Sequence, residues 1–265
     1  MTSLASPLDA AAIALHRDGH GPPLVLLHCL GVDHRFWDFA APLAADLTLM
    51  RYDLPGHGAS AVPAGTYGIA ELSAQLADLL GRAGIGRAQV RAHVAGISLG
   101  GLIAQHFAAT RPDLVDRLIL IDTTPRYTDG LRAMWVERAA TARGAGVAAM
   151  VDGLLKIWFS DAALARNDAG VRYVRETLTR ASGEGYALAC EALGAADLGD
   201  LAPNITAPTL VVCGDDDIPS FRDAARWLAA TIPHAELAWL KGARHASVIE
   251  QPDAARRLMR NFLLR

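Results

Sequence analysis

The chain has 265 residues, enough for one main domain with an insertion and a large buried core. Its 25 basic and 28 acidic residues leave a formal net charge of −3, and no run of five or six like charges occurs. Because nucleic acid and anionic membranes attract strongly basic surfaces, neither is an expected partner.

Residues 1–7 have neither the basic segment nor the apolar stretch of a secretory signal. No apolar run approaches the roughly 18 residues that a membrane-spanning helix needs. The three cysteines, Cys29, Cys190 and Cys213, are odd in number and lack C-x-x-C spacing. This pattern disfavours both a disulfide framework and a zinc site. Together these features predict a soluble, cytoplasmic protein.

The first half of the chain alternates strand-like with helix-like segments. Short apolar runs closed by turn residues predict strands at residues 24–28, 47–52, 89–95 and 115–121. Apolar residues at helical spacing predict helices at residues 68–80 and 98–110. Strands that alternate with helices predict an α/β fold, with a mostly parallel central sheet flanked by helices.

The pattern changes between residues 127 and 198, where apolar residues recur every three or four positions and no convincing strand occurs. Strands are again predicted at residues 209–214 and 235–240, with helices at 221–231 and 254–264. The helical segment therefore interrupts one sheet. We predict a core domain formed by residues 1–126 and 199–265, and a helical cap formed by residues 127–198.

The strongest chemical signal is Gly96-Ile97-Ser98-Leu99-Gly100-Gly101, between a predicted strand and a predicted helix. A serine on so sharp a turn needs small residues two positions before and after it, and Gly96 and Gly100 meet that need. The turn holds the Ser98 hydroxyl clear of the backbone. It also leaves the amide of Leu99 at a helix N-terminus, where a developing oxyanion can be stabilised. We therefore predict that Ser98 is a nucleophile, rather than part of a turn that only allows close packing.

A second loop, His28-Cys29-Leu30-Gly31, directly follows the first predicted strand. Serine hydrolases with a strand-turn-helix elbow usually take a second oxyanion amide from such a loop, and Leu30 is the expected donor. Cys29 is more typical of a small buried hydrophobic residue than of a nucleophile. His28 is expected to be a structural hydrogen-bonding residue.

An alkyl hydroxyl is a poor nucleophile near neutral pH, so Ser98 needs a base and an acid that orients the base. The chain order for this type of elbow is serine, then acid, then histidine. His245 follows the last predicted strand, whereas His234 precedes it. We predict that His245 is the base.

The acid should follow the strand at residues 209–214, where Asp215, Asp216 and Asp217 are adjacent. Adjacent side chains point in different directions, so only one of the three can face the histidine. The third residue after Gly214 is the usual position of the acid, which favours Asp217 over its two neighbours.

These motifs resemble those of the bacterial 3-oxoadipate enol-lactonases, within the α/β-hydrolase superfamily. The resemblance covers almost the full chain and includes Phe36-Trp37, Asp53-Leu54-Pro55-Gly56-His57-Gly58-Ala59-Ser60, and His245 followed by Ile249-Glu250-Gln251-Pro252. Its more selective part lies in the helical segment: Trp135 with Arg138, Trp158-Phe159, Gly185-Tyr186-Ala187, Cys190-Glu191-Ala192 and Ala196-Asp197-Leu198. The chain departs from the family at Ile157, where a basic residue is common, and after Asp217, where a Thr-Pro ending is replaced by Ile218-Pro219-Ser220.

The resemblance implies an α/β-hydrolase fold with a helical cap inserted after the sixth strand. It implies a small five-membered enol-lactone substrate that bears a carboxylate, and neither a metal nor an organic cofactor. The expected substrate-binding residues are Trp135, Arg138 and Trp158. Arg138 lies three residues after Trp135, so one helix face could present a ring and a guanidinium to the same ligand. Arg175 and Lys156 are the alternative cations.

Other functions share the same catalytic pattern. A carboxylesterase or a cofactor-free perhydrolase would carry the same three residues and loops. A non-catalytic ligand receptor on this fold is a further alternative, which a complete set of catalytic residues disfavours. The sequence leaves open whether the protein is a monomer or a homodimer.

Overall fold

This computed structural model describes residues 8–9, 12–86 and 90–265. Its strands form a single sheet. Its strands are β1 (Leu15–Gly19), β2 (Pro23–Leu27), β3 (Thr48–Tyr52), β4 (Ala92–Ile97), β5 (Val115–Ile121), β6 (Thr209–Gly214) and β7 (Ala235–Leu240). The strand order across the sheet is β1-β3-β2-β4-β5-β6-β7. Only β1 among these strands is antiparallel to its neighbour, so the predicted mostly parallel sheet is confirmed.

Helices flank the sheet, and several of them lie between β5 and β6 along the chain. They are α1 (Ile69–Arg82), α2 (Leu99–Thr110), α3 (Asp129–Ala145), α4 (Val151–Trp158), α5 (Asp161–Arg166), α6 (Ala169–Arg180), α7 (Gly183–Ala195), α8 (Pro219–Thr231), α9 (Ser247–Glu250) and α10 (Pro252–Leu263). A 3₁₀ segment, His34–Ala45, follows β2. No helix in the described chain combines the length and apolar character needed to cross a lipid bilayer.

The helices α3 to α7 lie between β5 and β6, and we call residues 127–198 the helical insertion. Five strands precede it in the described residues, whereas the resemblance implied an insertion after the sixth strand. A bridge between Arg126 and Asp197 joins the two ends of the insertion, so the chain leaves and re-enters the core at one place.

The predicted strands at residues 115–121, 209–214 and 235–240 match β5, β6 and β7 residue for residue. The strand predicted at 89–95 is β4, which runs to Ile97 because Ile97 still pairs with Ile121 of β5. Its predicted first residue, Gln89, and the predicted absence of a signal in residues 1–7 fall outside the described residues. No sequence pattern predicted β1, because its mostly exposed side chains show no apolar alternation.

The turn between β4 and α2 is packed against the end of β2. These two strands are parallel neighbours, with Leu27 beside Gly96. A methyl group added at Gly96 would collide with the carbonyl of Gly100, and one added at Gly100 would collide with the carbonyls of Leu27 and His28. The first turn of α2 therefore passes the end of β2 at a distance that only glycine permits.

This packing predicts opposite effects for the same substitution in two helices. Gly100→Ala in α2 should lower the free energy of unfolding by about 1–3 kcal/mol, because the backbone around Leu27 must move. Gly153→Ala in α4, where the added methyl meets nothing within 4 Å, should raise it by about 0.5–1 kcal/mol. Urea unfolding of both variants is the measurement. Equal effects would contradict the described packing.

Candidate active site

Ser98 lies on the turn between β4 and α2, with its backbone in an unusual conformation. Its φ is 52° and its ψ is −112°, a region that residues other than glycine rarely adopt. The Ser98 amide donates to the carbonyl of Ile121 (2.9 Å), and the Ser98 carbonyl accepts from the Thr123 hydroxyl (2.9 Å). These bonds to the end of β5 and the residues beyond it hold the strained backbone and leave the side chain of Ser98 free.

A line of hydrogen bonds joins the three residues predicted to be catalytic. The Ser98 Oγ lies 3.0 Å from Nε2 of His245, and Nδ1 of His245 lies 2.9 Å from Oδ2 of Asp217. All three residues are buried, with exposed fractions of 7%, 8% and 2% for Ser98, His245 and Asp217. A base within hydrogen-bonding distance of a hydroxyl, itself oriented by a carboxylate, is the arrangement that activates a serine nucleophile.

The sheet brings these side chains together because each follows the carboxyl end of a parallel strand. Ser98 follows β4, Asp217 follows β6 and His245 follows β7, so their loops meet at one edge of the sheet. The loops after β6 and β7 are also bonded to each other, since the Asp216 amide donates to the carbonyl of Ala243 (3.1 Å).

The three adjacent aspartates have different surroundings. The carboxylate of Asp215 accepts from the amide of Gly242 (2.6 Å), and that of Asp216 pairs with Arg244 (3.3 Å); both side chains are exposed. Asp217 is the one whose carboxylate contacts His245, and its other oxygen accepts from the amide of Ile218 (2.7 Å).

The pKa of His245 reflects two opposing effects. Burial lowers the pKa, but the charge and hydrogen bond of Asp217, with a smaller contribution from the charge of Asp122, raise it above its ordinary value. Arg138 acts in the opposite direction to the two carboxylates. The imidazolium that forms when His245 accepts a proton is therefore stabilised in this site.

The two amides predicted to bind an oxyanion lie on adjacent loops. Leu99 is the first residue of α2, so its N–H has no acceptor within the helix. Leu30 lies in the turn after β2, the strand beside β4. Within the described chain, the Leu30 amide makes no hydrogen bond to another residue. Neither N–H group has a hydrogen-bond acceptor within the described chain.

His28 and Cys29 are buried residues whose contacts indicate a structural role. The Nδ1 of His28 lies 2.8 Å from the carbonyl of Cys29, and its Nε2 accepts from the amide of Leu54 (2.9 Å). Both ring nitrogens are used, and burial lowers the pKa of His28. Burial raises the pKa of the Cys29 thiol above its ordinary value, so this cysteine stays protonated.

Two of the predicted substrate-binding residues lie together on α3, and the third lies beside the histidine. The Trp158 ring is 6.4 Å from the ring of His245, and the Trp158 carbonyl accepts from the amide of Ala246 (2.9 Å). The guanidinium carbon of Arg138 lies 5.0 Å from the centre of the Trp135 ring. Its positive charge acts on the pKa values of His245, Tyr127 and Tyr186.

The alternative cations lie elsewhere. Arg175 forms an exposed ion pair with Asp152 (2.6 Å). Lys156 is an exposed residue of α4, and its carbonyl accepts a hydrogen bond from Arg244 (2.9 Å). Neither side chain is among the charges that act on the pKa of His245.

Two buried hydrogen-bonding groups, the hydroxyl of Tyr127 and the indole N–H of Trp135, have no hydrogen-bond partner within the described chain. The hydroxyl of Tyr186 adjoins Arg138, whose charge and hydrogen bond lower the Tyr186 pKa against the larger effect of burial. Tyr127 and Trp135 contact each other edge to face, with ring centres 5.5 Å apart. Buried polar groups in folded proteins are almost always hydrogen-bonded to protein, water or ligand, so these two groups are available to a polar ligand or a water molecule. Sequence reasoning missed Tyr127, although an aromatic residue at the start of the insertion was a visible signal.

Asp122 is a second residue that sequence reasoning missed. It directly follows β5, is 1% exposed, and has a φ of 41°. Burial raises the pKa of Asp122, and the negative charge of Asp217 raises it further, to about 7. A charged residue directly after a buried strand was the available signal.

Two groups of potential metal ligands occur in the described chain: His16, His34 and Asp53, and Asp122, Cys213 and Asp217. The rings of His16 and His34 are stacked 3.6 Å apart with a 17° interplanar angle, so their nitrogen lone pairs lie in nearly parallel planes and do not converge on one ion. In the second group, Asp217 is already bonded to His245. Neither donor set is arranged to hold a metal.

A family model described as "Alpha/beta hydrolase family" matches residues 24–258 of the chain. The chain is 31% identical over 252 residues to 3-oxoadipate enol-lactonase 2 of Acinetobacter baylyi, covering 93% of this chain and 92% of that protein. It is 36% identical over 238 residues to a pimeloyl-[acyl-carrier protein] methyl ester esterase of Chromobacterium violaceum, covering 86% and 89%. A solved enol-lactonase from Burkholderia xenovorans LB400 superposes with a TM-score of 0.90 at 33% identity, covering 96% of each chain.

The surroundings of His245 predict which aspartate controls its protonation. Asp217→Asn should lower the pKa of His245, because the imidazolium loses its bonded negative charge. Asp216→Asn is the matched control: the neighbouring carboxylate pairs with Arg244 and should leave the pKa of His245 nearly unchanged. NMR titration of the histidine rings measures both. A larger fall in Asp216→Asn would show that the contact with Asp217 is not the controlling one.

Proposed function

Because the chain belongs to the alpha/beta hydrolase family, we propose that it is a serine hydrolase that opens the ring of 3-oxoadipate enol-lactone to give 3-oxoadipate. This reaction belongs to the breakdown of catechol or protocatechuate. The observation that carries the proposal is the hydrogen-bonded line from Ser98 through His245 to Asp217, with the charge of Arg138 acting on His245 and two unpartnered buried donors on the insertion. The enol-lactonase relatives support the choice of substrate.

In the first half of the reaction, Ser98 attacks the lactone carbonyl. His245 accepts the hydroxyl proton at Nε2, and Asp217 stabilises the imidazolium through Nδ1. The carbonyl oxygen becomes an oxyanion that the amides of Leu30 and Leu99 bind. When the tetrahedral intermediate collapses, the ring C–O bond breaks and the leaving enol oxygen takes the proton from His245. The product of this step is an acyl-enzyme whose acyl group carries the enol.

In the second half, water replaces the enol as the reacting group. His245 takes a proton from the water, which attacks the ester carbonyl of the acyl-enzyme. The bond to Ser98 breaks, its oxygen regains a proton from His245, and the free acid leaves. The net change is the addition of one water across the lactone bond, and the released enol tautomerises to the ketone.

The substrate's carboxylate needs a cation or several donors in a largely apolar pocket. Arg138 can make two parallel hydrogen bonds to a carboxylate, and its guanidinium already lies over Trp135. The charge of Arg138 lowers the pKa values of Tyr127 and Tyr186 against the larger effect of burial, and Arg138 also hydrogen-bonds to Tyr186. We assign this cluster, Arg138 with Tyr127, Trp135 and Tyr186, to the carboxylate.

The helical insertion is proposed to act as a cap that excludes water and selects the substrate. Trp158 and Tyr186 bring it against the core: Trp158 faces His245, and Tyr186 packs beside Gly31 of the loop that carries Leu30. An insertion in this position covers Ser98 and strengthens the electrostatic interactions of the site by keeping water out.

A methyl ester esterase is the second candidate function. It is favoured by the 36% identity to the Chromobacterium esterase, which is higher than the 31% identity to the Acinetobacter lactonase. The same Ser98 chemistry would apply, with methanol as the leaving group. Relative kcat/KM values for the enol-lactone and for the methyl ester of a dicarboxylic acid distinguish the two.

The first prediction from this proposal concerns the nucleophile. Ser98→Ala should lower kcat for enol-lactone opening by several orders of magnitude, because His245 and Asp217 then have no hydroxyl to activate. Loss of the lactone's ultraviolet absorbance measures the rate, and circular dichroism checks that the fold is intact. Cys29→Ala is the control and should keep most of the activity, since that thiol is buried and protonated. Retention of more than a few per cent of kcat in Ser98→Ala would refute the assignment.

The second prediction concerns the carboxylate. Arg138→Ala should weaken kcat/KM for the carboxylate-bearing lactone by about 1.5–3 kcal/mol, the size of a lost charge-assisted hydrogen bond, and spare a neutral ester of similar size. Arg175→Ala on α6, which removes an exposed ion pair with Asp152, should affect neither substrate. Equal losses on both substrates in Arg138→Ala would instead indicate that this arginine has a packing role.

A further inference from the structure

We propose that Asp122 is a positioning residue of the active site, whose buried carboxylate joins the loops of Asp217 and His245 and places a second negative charge behind the imidazole. The inference rests on the proposed function, in which His245 is the general base. It adds a fourth residue to the three that the sequence identified.

The geometry of Asp122 is unusual for a residue with only a structural role. Its amide donates to the carbonyl of Val212 on β6 (2.9 Å), and its backbone φ is 41°. Its Oδ1 accepts from the amide of Gly214 (2.9 Å), and its Oδ2 accepts from the amide (3.2 Å) and the hydroxyl (2.5 Å) of Ser247. One side chain thus contacts the ends of two loops that are far apart in the sequence.

The bonded residues are the neighbours of the catalytic ones. Gly214 begins the turn that carries Asp217, and the Gly214 carbonyl accepts from the Asp217 amide (3.2 Å). Ser247 follows His245 by two residues and begins α9. Because the Asp122 carboxylate holds both, it sets the separation of Asp217 and His245, on which the 2.9 Å contact between them depends.

The charge of Asp122 carries an energetic cost that packing alone does not explain. Oxygen atoms of Asp122 and Asp217 lie within 4.8 Å of each other, and both residues are buried. Two buried carboxylates at this distance repel each other, which is consistent with a pKa of about 7 for Asp122. Such a pair is tolerated where a cation forms between or beside its members, and His245 becomes that cation during the reaction.

The charges around these groups determine the sign of the effect. His245 is faced by the carboxylates of Asp217 and Asp122, which favour the imidazolium, and by Arg138, which opposes it. Asp122 is faced by Asp217, His245 and the thiol of Cys213, whose pKa burial raises. Removing the charge of Asp122 therefore makes the imidazolium less stable, and the pKa of His245 falls.

The test is Asp122→Asn, which keeps the size of the side chain and suits a positive φ. The pKa of His245, followed by NMR titration, should fall, and the acid limb of the kcat/KM profile should move to lower pH. The plateau of kcat for a neutral chromogenic ester should drop about tenfold with little change in KM, as expected when a hydrogen bond to a charged group is lost from the support of the site. A residue with only a structural role would lower stability without moving the titration.

Asp53→Asn is the matched control. Asp53 directly follows β3, is buried like Asp122, and accepts from the backbone amides of His34 (2.7 Å) and Ala59 (2.8 Å). It is not among the charges that act on the pKa of His245, so this variant should leave the His245 titration in place.

The outcomes separate this inference from the proposed function. If Asp122→Asn does not fold, Asp122→Gly removes the same charge and accommodates the φ of 41°. A folded neutral variant with an unchanged His245 titration overturns the role of Asp122, whatever its activity. Full ester turnover by Ser98→Ala would instead overturn the proposed function, and the NMR titration would still decide the role of Asp122 because it does not depend on turnover.

Discussion

The strained backbone of Ser98 is the constraint on which the rest of the site depends. Its φ of 52° places Ser98 on a sharp turn, and the Leu99 amide at the start of α2 has no acceptor within the helix. This turn requires α2 to begin in close contact with the end of β2. Gly96 and Gly100 permit that approach. The conformation is held from the neighbouring strand, since the Ser98 amide bonds to Ile121 and its carbonyl to Thr123. A parallel sheet can hold the Ser98 backbone in this way because the carboxyl ends of adjacent strands lie side by side.

The pKa values of the groups in the site follow from two buried carboxylates beside one imidazole. Asp217 and Asp122 are buried carboxylates that face His245, and the charge of Arg138 opposes their effect on the His245 pKa. In the resting enzyme this arrangement raises the pKa of Asp122 and leaves the imidazole of His245 prone to accept a proton. The arrangement is most stable when His245 is protonated, which in the proposed mechanism is the state that follows attack by Ser98. The site is therefore more complementary to the charge distribution of the intermediate than to that of the free enzyme.

Sequence patterns predicted the parts of the molecule that depend on local chemistry. The parallel strands β5, β6 and β7 were predicted because buried strands are continuous apolar runs. The turns of Ser98, Asp217 and His245 have distinctive residues and order, which led to the prediction that these three act together, and the structure brings their side chains within hydrogen-bonding distance. The edge strand β1 was missed because it is held by backbone pairing with β3, and its side chains are mostly exposed. Asp122 was missed because its significance lies in contacts with Gly214 and Ser247, 92 and 125 positions further along the chain, which only the folded structure brings together. Tyr127 was missed because the burial of its unpartnered hydroxyl is a property of the folded structure.

In the proposed mechanism Ser98 forms a covalent acyl-enzyme in a pocket that recognises a carboxylate. Trapping that adduct is the decisive measurement: the protein is mixed rapidly with the enol-lactone, quenched in acid within one turnover and analysed by peptide mass spectrometry. We expect the peptide containing Ser98 to gain the mass of the ring-opened acyl group, and Arg138→Ala to lower the amount of adduct formed at a subsaturating lactone concentration. Turnover of the lactone without any adduct on Ser98, or with the adduct on Cys29, would contradict the proposed mechanism.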